Sequence, residues 1–304
     1  MQDLIIIGGG PAGLTAGLYA ARSRIKTLLL EKLSPGGQVL TTDWVENYPG
    51  FPDGLSGFEL VERMKTHAEK FGLEIGNQEV VSLELAGQEK VVVTPQEPLR
   101  TRTVILASGA APQKLGIEGE ALLTGKGVSY CATCDGPFFR DHQVAVIGGG
   151  DTAVEESIYL TRFASKVYLI HRRDELRAIK LLQDRAMAEK KITVIWDTVA
   201  TKIVGETGVE GVDLRNVKTG EESHLAVHGV FVFIGYVPNN DLVKGLLELD
   251  ELGFVLTDDK METSVPGVFA AGDIRSKLLR QISTAVGDGA TAAFAAERYV
   301  ENTK

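Results

Sequence analysis

Cys131 and Cys134 are the only cysteines of the chain, and they stand three positions apart with Asp135 directly behind them. Thiols at that spacing lie within one turn of each other, close enough to form and break a disulfide, and the adjacent carboxyl group can give or take the proton that thiol chemistry needs. Two cysteines cannot fill a four-ligand zinc site, and so short a bridge closes too small a loop to staple a domain of this size. From Cys134 to Gly148, where a dinucleotide-binding signature begins, is only 14 residues, and in that context the pair reads as redox-active. Asp135 also reads as a turn or cap residue ahead of Gly136-Pro137, a role compatible with proton transfer.

Electrons must reach such a pair from somewhere, and two glycine turns supply the means. Leu4-Ile5-Ile6-Ile7 is a continuous aliphatic run suited to a strand buried on both faces, and it opens into Gly8-Gly9-Gly10-Pro11-Ala12-Gly13 before a small-residue helix from Leu14 to Ala21. Gly8 permits the tight turn, Gly10 the approach of a pyrophosphate, and Gly13 close packing of helix on strand, while the helix N-terminus offers amide donors. The next strand, Thr27 to Leu30, ends at Glu31, 23 residues after Gly8, where a carboxylate can accept from ribose hydroxyls.

The device recurs. Val144 to Ile147 leads into Gly148-Gly149-Gly150-Asp151-Thr152-Ala153, with Ala153 as the small third position, and then a helix from Val154 to Phe163. Here the second strand, Val167 to Ile170, ends at His171, again 23 residues on, but the acid is replaced by His171-Arg172-Arg173 with Arg177 one turn further. A carboxylate would repel a 2′-phosphate, whereas guanidinium groups bind one, so this turn is expected to prefer NADPH to NADH. The candidate contacts are Gly8, Gly10, Pro11, Ala12, Gly13 and Glu31 at the first turn, and Gly148, Gly150, Thr152, Arg172, Arg173 and Arg177 at the second. Different ribose chemistry suggests different dinucleotides, a flavin (FAD) at Glu31 and NADPH at the arginines, with the dithiol passing electrons outward by exchange.

The elements around these motifs are those of an α/β protein. With 304 residues the chain has room for two domains, and 44% hydrophobic and 24% charged residues describe a globular protein. A net charge of −9 leaves no basic surplus for nucleic acid. No stretch is apolar enough for long enough to span a bilayer, and the N-terminus reads as a first strand and not a signal peptide, which with the reactive cysteines fits a reducing cytoplasm. The five histidines, His67, His142, His171, His224 and His228, show no metal-ligating spacing and are expected on solvated faces or in loops; no metal site is expected.

Beyond these motifs the chain carries Gly36-Gly37-Gln38, Val45-Glu46-Asn47-Tyr48-Pro49-Gly50, Gly235-Tyr236-Val237-Pro238-Asn239, Val268-Phe269-Ala270-Ala271-Gly272-Asp273 and Arg280-Gln281. With both glycine turns and Cys131-Ala132-Thr133-Cys134-Asp135, these resemble the low-molecular-weight thioredoxin reductase family over nearly the whole chain. The resemblance implies two Rossmann-like dinucleotide-binding domains in three layers, with an NADPH domain (113–241) carrying the dithiol inserted in an FAD domain (1–112 and 242–304), and a homodimer. It implies that NADPH reduces FAD, FAD reduces the cysteine pair, and the dithiol reduces thioredoxin. It places Gly36, Gly37, Gln38 and Asn47 on FAD, Gly272 and Asp273 at its ribityl or phosphate end, and Arg280 with Gln281 over its ring system. Cys134 would face the flavin, Cys131 would attack the thioredoxin disulfide, and Asp135 would handle the proton. It further implies a rotation about linkers near Ala110 to Gly116 and Gly235 to Asp241. The rivals are a flavin-dependent dithiol oxidase, a ferredoxin-driven reductase, a reductase component that feeds a peroxidase, and a non-catalytic NADPH-sensing regulator. The arginines speak against the first two, the lack of room before Gly8 for a further domain against the third, and the cysteine motif against the last.

Overall fold

The computed structural model describes residues 1–42 and 44–303, with the side chains of Thr41, Thr133 and Cys134 outside the description. In chain order the elements are β1 (Gln2–Ile7), α1 (Pro11–Arg22), β2 (Thr27–Glu31), α2 (Gly57–Lys70), β3 (Glu74–Asn77), β4 (Ser82–Glu84), β5 (Lys90–Val93), β6 (Pro98–Leu106) and β7 (Ala110–Pro112). There follow α3 (Glu120–Leu123), β8 (Val128–Ser129), α4 (Ala132–Asp135), β9 (Gln143–Gly148), α5 (Asp151–Leu160), β10 (Lys166–Ile170) and α6 (Lys180–Ala188). Then come β11 (Ile192–Ile195), β12 (Thr198–Val204), β13 (Gly211–Asn216), β14 (Glu222–Ala226), β15 (Gly229–Phe233), β16 (Tyr236–Pro238), β17 (Val268–Ala270) and α7 (Ile282–Asn302).

The chain divides into two units, Met1–Ala111 with Val237–Lys304, and Pro112–Tyr236. In the first, β3, β2, β1 and β6 run parallel in that order. The far edge of β6 is shared: its N-terminal half pairs antiparallel with β5, and its C-terminal half pairs parallel with β17. The aliphatic runs of β1 and β2 suit this central position because both faces are covered. Leu4, Ile6, Leu29 and Ile105 pack under α1 and α7, while Ile5, Ile7, Leu28 and Leu30 face the opposite layer with Val243, Leu247 and Val255. A Cβ on Gly289 of α7 would overlap the Ala12 backbone, so glycine allows α7 to lie directly on the start of α1.

The second unit repeats the plan. Its parallel sheet runs β11, β10, β9, β15, β8, and a separate antiparallel sheet holds β12, β13 and β14. Val144, Val146, Val167, Leu169 and Phe231 cover one face with residues of α5 and α6, and Ala145, Ile147, Val230 and Val232 the other with Val212 and Leu214.

The sequence sets the second crossover at 241/242, whereas the chain changes unit at 236/237. The difference arises because Asn239 and Asn240 are bonded into the first unit: Asn239 N donates to Gly109 O at 3.0 Å, and Asn240 Nδ2 to Gly253 O at 2.6 Å. The first crossover lies at 111/112, one residue before the expected position. Among the described residues no helix is long and apolar enough to cross a membrane. His171 lies in the loop after β10, in keeping with the expectation for the histidines, but it is buried at 5% exposure and forms part of the second turn, while the other four are exposed.

Candidate active site and nucleotide-binding turns

In the first unit the chain leaves β1 through Gly8 at φ +107°, a conformation that favours glycine, with its amide donating to Leu30 O at 2.9 Å. A Cβ on Gly8 would overlap Ala107 O, and one on Gly13 would overlap Gly8 O, so strand and helix meet backbone to backbone. The α1 N-cap, Gly10, provides no side-chain cap, and Pro11 opens the helix, which leaves first-turn amides and the positive end of the helix dipole open.

A cavity of about 270 Å³ lies at this turn. It is lined by Gly8, Gly10, Pro11, Ala12, Glu31, Gly37, Gln38, Gly272, Asp273 and Gln281, all expected from the sequence, and also by Ser108, Asn239 and Ala285, which were not. Glu31 Oε2 accepts from Gly9 N at 2.7 Å and Oε1 from Leu33 N at 2.9 Å, so the carboxylate braces the glycine turn and keeps spare lone pairs. Ser108 Oγ donates to Asn239 O at 2.9 Å and Asn239 Nδ2 donates to Ser108 O at 2.8 Å, a reciprocal pair that forms part of the wall.

Other expected residues stand one step back. Gly13 packs α1 on Gly8, as its helix position requires. Gly36 lies against Leu40 and Val61, and its amide donates to Gly9 O at 2.7 Å. Asn47 reaches the cavity through Gln281, donating to its Oε1 at 3.0 Å. Arg280 does not line the cavity: its guanidinium stacks on Phe254, 3.8 Å from the ring centroid, and donates to Arg275 O at 3.2 Å.

The cavity fits an adenine dinucleotide on three observations. Gly10 and Gly37 face each other so closely that a Cβ on Gly37 would come within 3.1 Å of Gly10 Cα, which keeps the passage clear of side chains. The α1 amides are open to a pyrophosphate. Asp273 Oδ1 is buried with no hydrogen-bond partner among the described residues, and burial pushes its carboxyl pKa up while the Lys277 ammonium at 3.5 Å opposes this.

In the second unit Gly148, Gly150 and Thr152 open α5, whose N-cap Gly150 likewise provides no side-chain cap. The acid in its first turn, Asp151, accepts from Ile179 N at 2.8 Å. His171 takes the place held by Glu31 in the first unit. Its ring packs on Gly149, where a Cβ would overlap it, and Nδ1 lies 3.0 Å from Gly148 O. Arg172, Arg173 and Arg177 are exposed, on a segment that is not helical but folds back so that Arg177 N donates to Gly149 O at 2.7 Å. Arg177 Nη2 then lies 3.9 Å from the point a Gly150 Cβ would occupy. Among the described residues no acid pairs with the three guanidinium groups. Their own loop holds two acids: Asp174 is bonded to Lys218 Nζ at 2.9 Å, an ammonium that holds its carboxyl below the ordinary value, and the exposed Glu175 forms no ion pair with the three guanidinium groups among the described residues. Clustered, unneutralised guanidinium groups beside an open helix N-terminus suit a phosphorylated ribose.

Burial lowers the His171 pKa below its ordinary 6.5, opposed by its bond to Gly148 O. The stability gained from a neutral His171 is therefore complete above about pH 6.5 and is lost as pH falls toward the folded-state value. Thermal unfolding should show wild type losing more Tm between pH 8 and pH 5.5 than His171→Gln. Parallel losses would mean that another group governs acid sensitivity.

The cysteine motif follows β8 in this same unit. Ser129 is buried, accepts from Cys131 N at 3.0 Å and donates to Cys131 O at 3.1 Å, which fixes the backbone of the first cysteine. Cys131 is half-buried and disulfide-bonded, and Asp135, half-buried, closes the single turn of α4 with its amide on Cys131 O at 3.2 Å. The side chain of Cys134 lies outside the described residues. Beside the motif Tyr130 donates to the buried Glu120 at 2.8 Å, and burial first, with Glu120 second, pushes its pKa up to about 12. Glu120 also accepts from Leu115 N and Gly116 N at 2.8 and 2.7 Å, tying the incoming crossover to the strand that carries the cysteines. Neither Ser129 nor Glu120 was expected from the sequence: Ser129 acts on the backbone of Cys131, and the partners of Glu120 are two backbone amides and the Tyr130 hydroxyl.

Two parallel α/β units, each with a strand–glycine–helix turn, and a cysteine pair in the second define a flavin- and nucleotide-linked disulfide oxidoreductase. Residues 2–289 match the pyridine nucleotide-disulphide oxidoreductase family, and the chain belongs to it. It is 50% identical over 307 residues to the thioredoxin reductase of Peptoclostridium acidaminophilum, covering 99% of this chain and 98% of that one. The thioredoxin reductase of Bacillus subtilis is 48% identical over 302 residues, with 99% and 95% covered. The crystal structure of Lactococcus lactis thioredoxin reductase in its FR conformation superposes with a TM-score of 0.97 at 47% identity, covering 99% of this chain and all of that one.

Proposed function

We propose that this chain is an NADPH-dependent thioredoxin-disulfide reductase with FAD in the first unit and NADPH in the second. The observation that carries the reading is that the disulfide-bonded Cys131 and the arginine-flanked glycine turn share one nucleotide-binding unit, while the carboxylate-flanked turn has its own cavity in the other. The identity to named thioredoxin reductases along the whole chain supports it.

Gly8, Gly10, Pro11, Ala12, Glu31, Gly37, Gln38, Gly272, Asp273 and Gln281 would hold FAD, with Gly13, Gly36 and Asn47 supporting them, and Gly148, Gly150, Thr152, Arg172, Arg173 and Arg177 would hold NADPH. Bound FAD supplies a two-electron relay between the nicotinamide and the disulfide. Once reduced, the Cys131 thiolate attacks one sulfur of the thioredoxin disulfide, that S–S bond breaks, and a mixed disulfide forms. Cys134 then attacks Cys131 Sγ, closing the internal disulfide and releasing thioredoxin as a dithiol; two electrons and two protons have passed to the partner. Asp135 moves the proton at the cysteine pair. We take the enzyme to act as a cytoplasmic homodimer with no nucleic-acid or membrane partner.

The test is one coupled assay with NADPH and thioredoxin. A ferredoxin-driven reductase or a dithiol oxidase would show no NADPH-dependent turnover, and a sensor would bind NADPH without turnover. The purified protein should also be yellow, with about one FAD per chain. A colourless, folded protein that gains neither colour nor activity with added FAD contradicts the cavity assignment.

A further inference from the structure

The charged residues around Asp273 form a chain in which no single motif residue is central. Asp288, in the second turn of α7, is 12% exposed and accepts three donors: Gly272 N at 3.0 Å, Arg275 Nη1 at 2.8 Å and Lys277 Nζ at 3.0 Å. Arg275 and Lys277 are themselves 11% and 9% exposed at the side chain. Lys277 Nζ stands between two carboxylates, 3.0 Å from Asp288 Oδ2 and 3.5 Å from Asp273 Oδ1, the latter at the outer limit of hydrogen-bond distance. Gly272, whose amide Asp288 holds, sits at φ +78° against Ala12 and, with Asp273, forms one lip of the cavity.

We infer that Asp288 is a positioning residue for the dinucleotide cavity, fixing the Gly272–Asp273 lip and holding the Lys277 ammonium back so that the Asp273 carboxylate stays open to a bound group. The inference rests on the reading of this cavity as the FAD site. Two cations face two carboxylates in this cluster, and buried charges of that kind are sensitive to the loss of a single partner. Asp288 accepts the shorter contact to Lys277 and, with Arg275 already upon it, is held in place. Without its charge, the nearest counter-ion for Lys277 becomes Asp273. A contact of 3.5 Å would then close to a full charge-assisted hydrogen bond, occupy the free oxygen and draw the carboxylate from the cavity. The Gly272 amide would lose its charged acceptor in the same step.

The experiment follows release of FAD from the holoprotein by the fluorescence of the free flavin, with circular dichroism as the check on folding. Asp288→Asn, nearly isosteric but uncharged, should release FAD roughly ten- to hundredfold faster, the range expected for loss of a charged hydrogen bond. Asp288→Glu, which restores the charge on a longer stem, should lie within a few-fold of wild type. A purely structural role predicts the reverse order, since the larger Glu disturbs packing more than Asn, and that order would overturn the inference. Lys277→Gln leaves Asp288 bonded to Arg275 and Gly272 and removes the ammonium that would capture Asp273, so it should release FAD within a few-fold of wild type, and added to Asp288→Asn it should recover part of the loss. If Asp288→Asn does not fold, Asp288→Glu and Lys277→Gln carry the test, each expected within a few-fold of wild type. A wild-type release rate in Asp288→Asn, or a loss in Lys277→Gln as large as that in Asp288→Asn, would refute the role. A wild-type protein that takes up no FAD would refute the reading of the cavity itself.

Discussion

Replacing either Cys131 or Cys134 by serine should abolish thioredoxin reduction, by on the order of 10⁴-fold or more, the scale on which loss of a covalent nucleophile is felt. A serine hydroxyl cannot form a disulfide, so neither the mixed disulfide nor its resolution can occur, and no second cysteine pair exists to substitute. Both variants should nevertheless keep their yellow colour and bleach when NADPH is added, because the dithiol acts after the flavin. The two should differ in one respect. Cys134→Ser retains Cys131 on a backbone fixed by Ser129, and should accumulate a stable mixed disulfide with thioredoxin, visible on a non-reducing gel. Cys131→Ser should not form the same adduct efficiently. Near wild-type turnover in either variant would refute the assignment of the pair.

Much of this arrangement was legible in the sequence, because glycine turns impose backbone geometry through local steric rules. The 23-residue spacing placed both Glu31 and His171 at the end of the second strand of their units, and both sit against the glycine turn. What those side chains do there was less legible. Glu31 reads as a ribose acceptor, yet its oxygens also brace Gly9 N and Leu33 N, and His171, expected on a solvated face or in a loop, lies in a loop with its ring filling the space over Gly149. Neighbours in sequence can also diverge: Arg280 turns onto Phe254 while Gln281, the N-cap of α7, faces the cavity. Asp288 is not legible in the sequence, because a polar residue inside a small-residue helix carries no signal of the Gly272 amide 16 residues away. Glu120 was invisible for the same reason, since its partners are two backbone amides and a tyrosine. Local rules expose turns, strands and motifs; the side chains that hold them in register depend on tertiary contacts that no spacing rule encodes.

Replacing Arg172, Arg173 and Arg177 together by neutral residues should separate the two nicotinamide dinucleotides. NADPH differs from NADH by the 2′-phosphate, so a site that distinguishes them must do so at that group. The three guanidinium groups carry no acidic partner among the described residues: of the two acids in their loop, Asp174 is bonded to Lys218, and Glu175 pairs with none of them. Charge-assisted hydrogen bonds to phosphate are worth more than neutral ones, but these side chains are exposed and screened by salt, which reduces each contribution. The triple variant should therefore raise the KM for NADPH about 10²- to 10³-fold while changing that for NADH by no more than a few-fold. The wild-type preference should weaken as ionic strength rises, and the variant should show little such dependence. Of the three, Arg177 should have the largest single effect on binding, since its Nη2 lies 3.9 Å from the point a Gly150 Cβ would occupy at the helix N-terminus, whereas the bond of its amide to Gly149 O belongs to the backbone and survives substitution of the side chain. Equal losses for NADPH and NADH, with the flavin still bound and the protein folded, would mean that the arginines support the loop and do not read the phosphate.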